Sequence, residues 1–276
     1  MTKAAWIGLL AGIGLAAQAA AQQAAPTTQM IETDGRKLAF HVTPGHGPAI
    51  VLDAGGGLDS SYWDGLAAEL AQRTGSEIIT YDRAGAGASD EVSGPWSLDR
   101  ATDDLAHGLE QLGATHGVIL VAHSVAAEIA TSLALRHPDW ISGAVFVDGS
   151  VPQFYTEREI ARQMKLYAPV IAAAKAAPPT PQTKQLLAIA GSFAATSSAY
   201  HKLAWPASIP VTAIVSAKTP FDTEEDARAW KKAQADFVKQ APNRKLVAAA
   251  RSSHDIAHDR PDIVLKAVGD MATRAH

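Results

Sequence analysis

The sequence predicts an α/β protein: a doubly wound, mostly parallel sheet covered by helices on both faces, with a small helical insert. Three observations predict it. Short, unbroken apolar runs such as Val118-Ile-Leu-Val-Ala122 have the length of strands buried on both faces. Nearly every such run is followed by a stretch with helical spacing. The alternation breaks once, after Val147, and resumes at Val211. A chain of 276 residues suits one large domain of this kind, and a hydrophobic content of 47% supplies its core.

The elements follow in order. Thr28 to Val42 reads as a β-hairpin turning at Asp34-Gly35, because that pair accepts the positive φ angles of a tight turn. Ala49 to Asp53 is a strand ending in Ala54-Gly55-Gly56-Gly57, and Ser61 to Gln72 has helical spacing. Glu77 to Tyr81 is a strand running into Asp82-Arg83 and a glycine-rich turn. Ser97 to Leu112 is an amphipathic helix, Gly117 to Ala122 a strand, Val125 to Arg136 a helix and Ser142 to Val147 a strand. Residues 151–205 hold two helical stretches split by Pro178-Pro179-Thr180-Pro181, which predicts a helical cap over the strand ends. Residues 22–150 and 206–276 form the core domain. The second part of it reads as strand Val211 to Ser216, helix Thr223 to Lys239, strand Lys245 to Ala250 and helix Pro261 to Thr273.

The first residues point to export. Lys3 precedes an apolar run from Ala4 to Ala17, and Ala19-Ala20-Ala21 follows as a small-residue cleavage pattern. Residues 1–21 are expected to be a signal peptide removed on the way to a bacterial periplasm or medium. The run is rich in Ala and Gly and interrupted by Gln18, so no stable membrane insertion is expected once it is removed. The chain has no cysteine, which excludes a disulfide, a thiolate metal site and a cysteine nucleophile. A net charge of −4, with the signs interspersed, gives no nucleic-acid surface.

In open α/β sheets the chemistry sits where strands end. Ser124 follows a buried strand and opens a helix, with small residues, Ala122 and Ala126, two positions to either side. A nucleophile on a sharp strand-to-helix turn needs such neighbours because the backbone there is crowded. The same serine could also be a plain helix N-cap. The backbone N–H of Val125 and that of Gly56, in the loop after the Ala49 strand, are the expected oxyanion donors. His254, just past the last strand, is the expected base. Two carboxylates qualify as its partner, Asp148 at the end of the Ser142 strand and Asp222 beyond the Val211 strand. Asp148 follows its strand at once, whereas Asp222 can simply begin a helix, so Asp148 is preferred. Asp53 and Asp82 are read as structural.

These strings resemble the α/β-hydrolase fold family of esterases, lipases and peptidases. Leu52 to Trp63 is similar to its oxyanion loop, with Ala54 in place of histidine. Tyr81-Asp-Arg-Ala-Gly-Ala-Gly-Ala-Ser-Asp90 is similar to its recurring turn, and Ser253-His254 through Asp259-Arg260-Pro261 to its histidine segment. The resemblance implies a catalytic triad in the order Ser124, Asp148, His254, and hydrolysis of a carboxylic ester, lactone or amide through an acyl-enzyme. No cofactor is expected, because neither Gly55-Gly56-Gly57-Leu58-Asp59-Ser60 nor Gly85-Ala86-Gly87-Ala88-Ser89-Asp90 has the third glycine of a dinucleotide fingerprint, and the substrate is expected to be an apolar small molecule. Phe154, Tyr155, Met164, Tyr167, Leu186, Leu187, Phe193 and Tyr200 could line an apolar pocket under the cap. Two other readings stay open: a binding protein on the same scaffold, and a metal-dependent hydrolase using His254 and His258. The second is weakened by Asp255 where a zinc helix carries Glu and by the lack of a clear third ligand. No metal site is therefore expected.

Overall fold

In a computed structural model, residues 25–91 and 94–275 are described. The expected signal peptide, residues 1–21, lies outside them. The hairpin forms as β1 (Thr27–Thr33) and β2 (Arg36–Thr43), paired antiparallel with Thr33 opposite Arg36. Asp34 and Gly35 take φ of 47° and 73°, the two positive angles that a two-residue turn of this twist requires. Next come β3 (Gly47–Asp53), α1 (Asp64–Thr74), β4 (Ser76–Tyr81), α2 (Leu98–Gln111), β5 (Val118–His123) and α3 (Ala126–Arg136). After β6 (Ile141–Val147) the chain leaves the sheet for α4 (Glu157–Ala176) and α5 (Pro181–Tyr200). It returns with β7 (Val211–Ser216), α6 (Glu224–Lys239), β8 (Arg244–Ala249), α7 (Ile256–Asp259) and α8 (Pro261–Ala275).

The eight strands make one sheet in the order β1-β2-β4-β3-β5-β6-β7-β8. β2 pairs antiparallel with both β1 and β4, and all other pairs are parallel. The carboxyl ends of β3, β5, β6, β7 and β8 therefore share one edge. Side chains alternate across this sheet into two cores. Val51, Leu120 and Phe146 face α2, α3 and α6, whose Leu109, Ile129 and Phe237 are buried against them. Ile50, Leu52 and Val121 face α1 and α8, whose Leu70 and Val268 are buried there. Burying both faces is what makes β5 read as an unbroken apolar run.

Local signals set the boundaries. Ser97 caps α2 by accepting from Arg100 N–H, and Thr223 caps α6 by accepting from Asp226 N–H. A 3-10 turn over Ser60–Trp63 precedes α1, so that helix starts later than its spacing suggests and ends at Thr74. The proline cluster splits the insert one residue earlier than expected. Thr180 is the N-cap and Pro181 opens α5, where its missing N–H costs nothing. β8 is the sheet edge, and Leu246 on it is exposed. The short α7 lies between the last strand and α8 and was not anticipated from spacing.

Candidate active site

β5 ends at His123, and the next residue, Ser124, has φ +56°. A side chain there costs about 1–2 kcal/mol, so the surroundings must hold it. They do so through the backbone: Ser124 N–H donates to Val147 O at 3.3 Å, and Ser150 N–H donates to Ser124 O at 2.8 Å. The turn carries Ser124 Oγ to 3.0 Å from His254 Nε2. His254 Nδ1 is 2.7 Å from Asp148 Oδ2. A carboxylate accepts, so Nδ1 carries the proton and Nε2 is left to accept from the serine hydroxyl.

Asp148 directly follows β6, at φ +44°, and is fully buried. Its Oδ1 accepts from Ser216 N–H at 3.1 Å and from Trp230 Nε1–H at 3.0 Å. Its Oδ2 accepts from Ser216 Oγ–H at 2.7 Å as well as from His254. Four donors thus meet a group with about four acceptor positions. Asp222 is not among the hydrogen-bond partners of His254. Of the two strand-end candidates, Asp148 is the one brought to His254, and its further partners Ser216 and Trp230 are not indicated by the strand-end argument.

The loop that carries His254 is tied at both ends. Ser253 donates through N–H and Oγ to Asp259 Oδ2, each at 2.6 Å, and Arg260 Nη1 donates to Ala250 O at 2.8 Å. His123 lies beneath, with Nε2 3.2 Å from His254 O. A carbonyl only accepts, so Nε2 bears the proton of His123. Burial and then the neighbouring His254 push His123 down to about 3, so it is neutral at ordinary pH. His258 does not join His254. Its Nδ1 is 2.7 Å from Asp255 Oδ1, while both ring nitrogens of His254 face Ser124 and Asp148. No group of three metal-ligating side chains occurs among the described residues.

The glycine loop follows β3. A Cβ at Gly55 would lie 2.7 Å from His123 Nδ1, so no side chain fits there. Arg83, a residue whose part was not foreseen, clamps this loop from behind. Its guanidinium is buried and donates to Asp53, to Ala54 O and to Gly55 O. Burial is the largest effect and disfavours the cation, but Asp53 and Tyr81 beside it together outweigh this and raise Arg83 above its ordinary value. In a trans peptide the C=O and N–H point oppositely. With Gly55 O held on Arg83, the Gly56 N–H faces away from it. The same logic applies to Val125, since Ser124 O is held by Ser150 N–H and Ala127 N–H. Gly56, Val125, Ser124 and His254 all line one cavity of about 380 Å³.

The insert supplies part of the cavity wall. Phe154, Tyr155, Tyr167, Leu186 and Phe193 line it, as expected. Three others do not. Met164 points outward and is half-exposed, and Leu187 lines a separate hollow with Trp96 and Lys184. Tyr200 is fully buried, with its hydroxyl bonded to Ser150 O at 2.9 Å. Helical spacing marks a buried face but cannot tell core from cavity.

Glu128 on α3 also lines the cavity, although it is almost fully buried. Burial raises its carboxyl to about 7, against a smaller opposing effect of the Tyr155 hydrogen bond. The folded pKa lies above the unfolded 4.5, so the stabilising contribution is full below pH 4.5 and is lost as pH rises through 7. The loss is on the order of 3 kcal/mol. Glu128→Gln is therefore expected to unfold at a higher temperature than the parent at pH 9, with the difference shrinking towards pH 4. Parallel melting curves across that range check this, and a pH-independent difference would contradict it.

A family model described as "Alpha/beta hydrolase family" matches residues 50–267. The uncharacterized protein YqjL of Bacillus subtilis (strain 168) is 25% identical over 231 residues, covering 82% of this chain and 83% of that protein. The putative carbamate hydrolase RutD of Caulobacter segnis is 31% identical over 119 residues, only 42% of this chain and 43% of that protein. Among solved structures, a bromoperoxidase from Bacillus anthracis superposes with a TM-score of 0.67 at 18% identity, covering 90% of this chain and all of that one. That likeness is one of fold.

Proposed function

The chain belongs to the alpha/beta hydrolase family, and from that premise we propose that it is an exported serine hydrolase that cleaves a carboxylic ester. The observation that carries the reading is the unbroken hydrogen-bond path from Ser124 Oγ through His254 to Asp148. In this mechanism His254 Nε2 takes the Ser124 proton as Oγ attacks the ester carbonyl carbon. The negative oxygen that forms is met by the N–H groups of Gly56 and Val125. The tetrahedral species collapses, the alkoxide leaves with the proton from His254, and an acyl-serine remains. Water then gives a proton to His254 as it attacks the acyl carbon, and the second tetrahedral species collapses to the carboxylic acid while Ser124 Oγ leaves and takes the proton back from His254. Asp148 holds the His254 tautomer and stabilises the imidazolium throughout.

The insert serves in this reading as a cap, because its side chains form cavity wall above Ser124. Residues 1–21 serve as the leader that exports the protein. The site is compatible with lactones, amides and carbamates as well, since each offers a carbonyl and a leaving group. A fluorophosphonate probe tests the assignment. One covalent adduct is expected on the peptide that contains Ser124, together with turnover of short-chain esters. Ester turnover without labelling at Ser124 would overturn it, and absence of both would favour a binding protein on this scaffold.

Arg83 acts in this scheme as a positioning residue, by aiming Gly56 N–H. Arg83→Met is expected to lower kcat by about 10²-fold, the scale of one lost oxyanion donor. It should also cost about 3–5 kcal/mol by leaving Asp53 buried without its partner. The double variant Arg83→Met/Asp53→Leu separates the two effects, since it should recover much of the stability but not kcat. Recovery of kcat along with stability would remove Arg83 from the positioning role.

A further inference from the structure

A buried carboxyl in the cavity wall takes no part in the chemistry just described. Glu128 lies in the first turn of α3, four residues beyond Ser124, and lines the same cavity. Tyr155 Oη is 2.9 Å from Glu128 Oε1 and 3.0 Å from Ser150 Oγ. Tyrosine has one proton, so Tyr155 donates to the carboxyl and accepts from Ser150. Ser150 alone would satisfy Tyr155, and a carboxyl is an expensive group to bury for that purpose. Glu128 Oε2 has no hydrogen bond among the described residues. Gln163, from α4, also lines the cavity and is nearly fully buried, and neither of its amide atoms has a protein partner. Among the described lining residues there is no Lys or Arg, and Glu128 is the only acidic one.

We infer that Glu128, Tyr155 and Gln163 form a polar subsite that receives a hydrogen-bond donor carried by the substrate, a hydroxyl or an ammonium group. The inference rests on the ester-hydrolase reading and refines it. The substrate is amphipathic rather than apolar: an aliphatic or aromatic body lies against Phe154, Leu186 and Phe193, and a donor lies against the carboxyl. An anionic substituent is disfavoured at this subsite, because it would meet a carboxyl and the described lining holds no Lys or Arg. The raised Glu128 carboxyl is consistent with a group kept at some cost to stability. The subsite joins α3 of the core to α4 of the insert, so it is complete only where the two meet.

The test uses para-nitrophenyl esters of hexanoic, ω-hydroxyhexanoic and ω-aminohexanoic acid, with their four- and eight-carbon homologues. The parent protein is expected to prefer a substituted ester over its unsubstituted homologue by about tenfold in kcat/KM at one chain length, the scale of one buried polar contact. In Glu128→Leu that ratio should fall to about one. In Glu128→Gln a hydroxyl preference should persist, and an ammonium preference should fall, which tells the two donors apart. The ratio cancels general damage to the site. No preference in the parent, or one unchanged in Glu128→Leu, overturns the subsite. Ser124→Ala protein titrated with hexanamide and its ω-hydroxy and ω-amino forms reads binding alone. Tighter binding of a substituted amide, lost in Ser124→Ala/Glu128→Leu, upholds the subsite even if no ester is cleaved. Equal binding of all three overturns it.

Discussion

Ser124→Ala is expected to lower ester turnover by about 10⁴-fold or more while the protein stays folded. The variant loses only Oγ, whose hydrogen-bond partner is His254. It keeps Cβ and the backbone bonds to Val147 and Ser150 that hold the turn. Alanine at φ +56° is strained much as serine is, so the melting temperature should move little. Ser124→Gly adds a second reading of the same site. Glycine accepts that φ freely and should stabilise the fold by about 1 kcal/mol, yet it is equally inactive. A hydrolysis assay with thermal unfolding of all three proteins checks both parts. Turnover in Ser124→Ala within tenfold of the parent would remove Ser124 as nucleophile. A glycine variant less stable than the alanine one would show that the turn stores no strain.

The sites at strand ends were legible because topology alone positions them. Ser124, Asp148 and His254 each follow a strand of a parallel sheet, and parallel strands put their carboxyl ends on one edge. Val125 and Gly56 follow by adjacency and by the glycines. What holds these residues in place was not legible. Trp230 reaches Asp148 from 82 positions along the chain, and Ser216 from 68. Nothing local marks either one, because the partner lies in another element. Arg83 was visible within a recurring turn, but its role depends on carbonyls of a loop that precedes it by 28 and 29 residues. Glu128 carries no mark in the sequence beyond its place in a helical stretch. Its meaning comes from burial beside a cavity, and spacing does not report burial of a single polar side chain.

The alanines flanking the nucleophile show the same limit from the other side. Ala122 and Ala126 stand where the family pattern has glycine, and both are buried within the core cluster that includes Leu120 and Ile129. The turn still reaches a positive φ with these methyl groups present. The crowding that excludes a side chain is found instead at Gly149, where a Cβ would lie 2.9 Å from that of Ala127. The motif states that small residues are needed around the turn. Which position needs the smallest depends on how β6 packs against α3.

Asp148→Asn is expected to lower kcat/KM by about 10⁴-fold with a stability loss of about 1–3 kcal/mol. The reason lies in the donors around the carboxylate. If the new amide nitrogen replaces Oδ1, it meets Ser216 N–H and Trp230 Nε1–H, two donors that cannot turn away. If it replaces Oδ2, it meets Ser216 Oγ, which can rotate to accept, and His254 Nδ1. The second arrangement costs less, and it requires Nδ1 to become the acceptor. The proton then sits on Nε2, which can no longer take one from Ser124. The variant thus keeps its shape but holds the wrong tautomer. Asp222→Asn is the control and should stay within about threefold of the parent, on the scale of a substitution away from the site. Kinetics of both variants, with melting curves, decide between the two carboxylates. A large loss in Asp222→Asn, with Asp148→Asn nearly unaffected, would move the acid one strand later and leave the donors around Asp148 as a purely structural arrangement.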